Sequence, residues 1–193
     1  MPHPFLRAAA AALILAAPAF AAETVSKRQV EEAIRVFDAN ALGSLTASKS
    51  SDEANAAVAR ASNTILKFAL ESDDVVVDLG PDSVPWCDVK KGLPDVSNSG
   101  QRGLLFAAYV SGSVRAQLDS GKQDPNPLAG WVAMLRVYRA VKVREGIKIP
   151  EVEPLLSRQM NGTLEAYAAA ALSRSTENLR KTYGAPVPPP KQE

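Results

Sequence analysis

Residues 124–145, Asp-Pro-Asn-Pro-Leu-Ala-Gly-Trp-Val-Ala-Met-Leu-Arg-Val-Tyr-Arg-Ala-Val-Lys-Val-Arg-Glu, decide the fold. Asp124-Pro125-Asn126-Pro127 reads as a stiff turn that opens a helix. Asn126 is placed to cap the first amides, and Pro127 stands at the first helical position, where a missing N–H costs nothing. Leu128, Trp131, Leu135 and Tyr138 then recur at helical spacing. Val132, Met134 and Val137 spread apolar surface around the rest of the cylinder. A helix apolar on most of its circumference belongs inside a helical core.

Working outward, the same periodicity predicts five more helices. Before this segment, a helix spans about Gly100 to Ser120, and Gly121 can end it. Its Ala108, Gly112 and Ala116 are four residues apart, so another helix can approach closely there; that packing would offset the roughly 1 kcal/mol helix cost of Gly112. Nearer the N-terminus, Ser26 and Gln29 have the spacing of a capping box. Val30, Ile34, Phe37 and Ala41 follow on one face, with Gly43 suited to the C-cap. Ser50 and Glu53 repeat the capping pattern ahead of the stripe Ala54, Ala57, Val58, Ala61, Ile65, Phe68 and Ala69. After residue 145, a short helix starting near Pro150 or Pro154 carries Leu155, Leu156 and Met160. Asn161-Gly162 breaks it, and Thr163 caps a last helix that Tyr183-Gly184 closes. The expected fold is all-α: an irregular bundle of five to six helices with one long Pro/Asp-rich connection over 72–99.

The N-terminus gives a different kind of information. Met1 to Arg7 carries one positive charge, Ala8 to Ala17 is unbroken apolar sequence, and Ala19-Phe20-Ala21 offers small residues to a signal peptidase. This is the layout of a secretory signal peptide. The expected organisation is a signal peptide at 1–21, a single helical domain at 22–184 and an extended Pro-rich tail at 185–193. The apolar run is about ten residues, half of what a membrane span needs. No cysteine follows the cleavage region, so no lipid anchor is expected. The predicted location is periplasmic or secreted, without a membrane span.

Cleavage there would also reshape the chemistry. Of 22 basic residues Arg7 would be lost, leaving 21 against 21 acidic, and the single histidine, His3, would go too. A histidine-free chain has no Ser-His-Asp triad, no Cys-His dyad and no histidine-bearing zinc site. A net charge of zero argues against nucleic acid as a partner. No cofactor motif is present, and no cofactor is expected.

Two regions remain as candidate binding sites. The connection 72–99 is acidic, Asp82 and Asp88 included, with only Lys90 and Lys91 opposite. Hard cations take carboxylate oxygens, but the spacing follows no EF-hand, and Asp equally marks turns and caps. Within it, Trp86 and Cys87 either pin the connection to the helical core or expose a reactive thiol. The second region is the basic end of the helix over 127–145. Arg136, Arg139 and Lys142, three residues apart, are read as one face that docks an anionic partner, covers apolar surface or meets the acidic connection. The function expected from these features is a non-catalytic, exported module that binds another protein or a peptide. The alternative is a small-ligand or divalent-cation binder using the connection. The oligomeric state stays open.

Overall fold

The computed structural model describes residues 24–46, 52–90, 93–95 and 100–183. It is all-α. The helices are α1 (Lys27–Thr46), α2 (Asp52–Glu71), α3 (Gly100–Ser120), α4 (Pro127–Glu145), α5 (Glu153–Met160) and α6 (Leu164–Tyr183). Two three-residue strands, β1 (Asp88–Lys90) and β2 (Leu93–Asp95), pair antiparallel late in the connection, with Val89 opposite Pro94. The stretches read as a signal peptide, as the Ser50 cap and as a Pro-rich tail lie outside the described residues.

The helix starts follow their local chemistry. At α1 the Ser26 amide donates to Gln29 Oε1 at 2.8 Å and the Gln29 amide to Ser26 Oγ at 3.3 Å, which completes the capping box. At α4 the Asn126 side-chain Oδ1 accepts from the Ala129 amide at 3.0 Å, with Pro127 in the first turn. Gly121 leaves α3 with φ 67°. Gly43, expected as a stop, is internal to α1, which continues to Thr46. A lone glycine costs about 1 kcal/mol in a helix and does not end one whose neighbours still form hydrogen bonds.

The helices form two antiparallel hairpins, α1 on α2 and α3 on α4, with α5 and α6 folded back over α4. One apolar core runs through all of them and takes in Val75, Val77, Val84 and Trp86 from the connection. As expected, α4 is central: Trp131, Met134, Leu135, Tyr138 and Val141 are all fully buried. Tyr167 of α6 stacks on Trp131, with centroids 5.5 Å apart, and Arg158 lies 4.0 Å over its other side.

The α3–α4 contact is a close one. A Cβ at Gly112 would stand 2.6 Å from both the Ala129 carbonyl oxygen and the Ala133 Cβ. A Cβ at Gly130 would stand 2.5 Å from the Tyr109 ring and 2.6 Å from Ser113 Oγ. Tyr109 has no room to swing away, because its hydroxyl donates to the Asp78 carbonyl at 2.8 Å. Helix propensity alone would make Gly130→Ala stabilising by about 1 kcal/mol. The contact reverses the sign: Gly130→Ala should destabilise by roughly 2 kcal/mol, as overpacking does. Urea denaturation reads the difference, and an unchanged or raised midpoint would refute the close contact.

Candidate functional site

The connection is stitched to the core by side chains. Buried backbone polar groups need partners, and among the described residues no strand lies beside residues 75–79 to supply them. Gln117 of α3 does so: its amide accepts from Val76 N at 2.8 Å and donates to Val76 O at 2.9 Å. Trp131 Nε1 donates to Ser83 O at 2.7 Å. The Asp78 carboxylate accepts from Gly80 N at 3.0 Å, Ser83 Oγ at 2.7 Å and Ser175 Oγ at 2.8 Å, so it closes a turn and holds α6. Val75-Val76-Val77, a β-branched run, pairs with no strand among the described residues; the strands β1 and β2 come later.

This fixes the roles of the connection's candidates. Trp86 is fully buried and meets Tyr109 edge-on, centroids 5.9 Å apart at 72°. Its indole N–H has no acceptor among the described residues, while its carbonyl accepts from Arg102, which also grips Glu151 with two bonds of 3.1 Å. Cys87 is buried at 6% exposure. Both residues anchor the connection, the first of the two readings. Asp82 pairs with Arg174 Nε at 3.1 Å. Asp88 opens β1 opposite Asp95, and its side chain lies outside the described residues. No cluster of three potential metal ligands occurs among the described residues.

The basic helix end divides into two parts. Lys142 turns inward to Glu153 of α5, with bonds of 2.7 and 2.8 Å. Glu153 also accepts from the Tyr138 hydroxyl, which in turn accepts from the Ile149 amide at 3.0 Å. Lys142, then Tyr138, holds the Glu153 carboxyl below its ordinary range. Burial, then the bond to Glu153, pushes the Tyr138 phenol up. The grouping of Arg136, Arg139 and Lys142 on one face is thus corrected. Steps of three residues slip back about 60° each around a helix, so Lys142 lies about 120° from Arg136. The stripe also meets α5 rather than the acidic connection.

The residues that do share a face are Val132, Arg136, Arg139 and Val143, at steps of four, three and four. All four are exposed, Val132 at 46% and Val143 at 87%. Val132, Arg136 and Arg139 line one wall of a groove of about 650 Å³ framed by α1, α3 and α4, and Val143 continues the face beyond it. Small residues make its base: Gly112, Ala129 and Ala133 bring the helix axes together, and Phe37 closes the α1 side. A second depression of about 620 Å³ continues past Asp38, Arg115 and Asp119. There Arg115 pairs with Asp38 at 2.6 Å. Arg139 donates to the neutral Gln159 at 2.8 Å, and Arg136 has no hydrogen-bond or ion-pair partner among the described residues. Both arginines therefore keep uncompensated charge toward solvent. Sequence reasoning selected Arg136 and Arg139 but missed Val132 and Val143; the four-three-four spacing was the available signal.

No protein-family model matches the chain, and neither a curated protein nor a solved structure does.

Two outcomes follow from this geometry. Thiol labelling of Cys87 should be slow in the native protein and immediate in denaturant; rapid native labelling would overturn its burial. Because the folded state holds Glu153 below its ordinary value of 4.5, its contribution is full above that value and disappears as pH falls through the lowered one. The stability advantage of wild type over Glu153→Gln should therefore hold steady near neutral pH and shrink as the pH falls below 4.5 in thermal melts.

Proposed function

We propose that the protein is an exported, non-catalytic module that binds another protein or a peptide through the groove framed by α1, α3 and α4. The observation that carries this reading is the face of α4, where Val132, Arg136, Arg139 and Val143 stand in line and exposed. Central helices of a bundle normally surrender such apolar positions to the core, and exposed apolar residues rimmed by charge mark interaction surfaces. Met160, 77% exposed at the end of α5, adds apolar surface next to Gln159, which Arg139 holds.

The connection supports ligand binding less well. Trp86 and Cys87 are committed to the core, Asp82 to Arg174 and Asp78 to three donors. A cation or metabolite arriving there would have to break bonds that hold α6 in place. The leader at 1–21 and the histidine-free remainder support export and a binding role over catalysis.

A photoreactive amino acid at position 132, introduced in the producing cells, should give a discrete cross-linked species in the exported fraction. The same group at Glu165, exposed on α6, should give none. Equal cross-linking at both positions, or at neither, would refute the groove as a docking site.

A further inference from the structure

We propose that the groove's occupant is an acidic amphipathic helix, with two carboxylates flanked by aliphatic side chains; this rests on the binding reading above. Charge comes first. On the α4 face the guanidinium of Arg139 is held only by a neutral amide, and that of Arg136 has no partner among the described residues. Asp38 is already taken by Arg115, which leaves Asp119 as the other carboxylate lining the groove, with Glu31 and Arg35 beyond it in the second depression. The α4 side of the groove is thus positive. Planar guanidinium groups favour carboxylates, which they can bind with two parallel bonds.

The apolar part of the pattern sets the flanks. Val132 lies one turn before the arginines and Val143 one turn after them, so the carboxylates of a complementary segment fall between its own aliphatic residues. From Val132 to Val143 the face runs about 16 Å, or about three helical turns. Every wall of the groove is a helix whose backbone bonds are internal. An extended strand laid there would find no edge to pair with, whereas a helix satisfies its own backbone and presents side chains at matching intervals.

A second copy of this chain fits poorly. Two-fold packing on this face would bring two copies of the same arginine-rich patch together, with only Asp119 of each groove left to offset Arg136 and Arg139. An anionic membrane also fits poorly, since Asp38 and Asp119 share the groove with the arginines, and the chain after residue 21 has no net positive charge.

The test is selection of a random 16-residue display library on the purified full-length protein, with the enriched peptides then measured by fluorescence anisotropy. Enriched sequences should carry paired Asp or Glu flanked by Leu, Ile, Val or Phe. Their affinity should fall at least tenfold for the double variant R136E/R139E, whose melting temperature and circular dichroism should match wild type, since both side chains are exposed. Peptides with Lys in place of the acids should recover binding to that variant. Affinity should weaken severalfold on raising salt. If enriched peptides are lost with Val132→Asp but carry no acids and ignore R136E/R139E, the acidic partner is refuted while a peptide groove stands. No enrichment dependent on either variant refutes both. Sedimentation with phosphatidylglycerol vesicles through Arg136 and Arg139, without peptide enrichment, would assign the face to a membrane and overturn the proposal.

Discussion

The near-contact of α3 and α4 governs the rest of the structure. Two glycines make it, one on each helix, and each meets the other's bulk. Gly112 admits the backbone of α4 at Ala129, and Gly130 admits the ring of Tyr109. Once the ring lies in that gap its hydroxyl reaches Asp78 O, and the connection is tied down at its centre. The same approach brings Trp131 within reach of Ser83. It also leaves shallow ground above small side chains, which is why a groove exists beside α1. Packing, loop docking and the candidate binding face therefore share one cause.

The connection shows how irregular backbone is tolerated in a core. Gln117 does for Val76 what a neighbouring strand would do, and Asp78 gathers three donors. Burial raises the Tyr109 phenol well above its ordinary range, with the nearby Asp78 charge adding to it. Tyr109 thus stays a neutral donor to the Asp78 carbonyl. Each of these bonds is side chain to backbone or side chain to side chain, so the stretch around Val76 and Asp78 is held without strand pairing.

Much of the architecture was legible in the sequence because it depends on local rules. The period of the apolar residues located the helices, Asn126 and Pro127 marked the start of α4, and Gly112 announced a close approach. The exceptions are places where distant atoms decide. Gly43 looked like a stop, but the helix continues through it. Nothing near Val76 in the chain names the partner of its backbone, a glutamine 41 residues away. Gly130 gave no local sign, since the ring it accommodates lies on another helix. At the candidate site, Arg136 and Arg139 were visible as charges, whereas their separation from Lys142 needed both the helical angle and the position of Glu153. Trp86 and Cys87 stood out as rare residues, and rarity alone did not distinguish an anchor from a site.

The bonds between the connection and α6 join residues far apart along the chain: Asp78 meets Ser175 across 97 positions, and Asp82 meets Arg174 across 92. Such contacts are slow to form because most of the chain's freedom must be lost before they repay it. A chain made from its N-terminus presents Asp78 and Ser83 long before α6 exists. Until then the Asp78 carboxylate lacks Ser175 Oγ, and Trp131 lacks the Tyr167 ring that stacks on it. The two helical hairpins can assemble early, from neighbours, while the seal over Trp131 and the connection waits for the last helix. A chain of this design stays partly open until its last helix is in place.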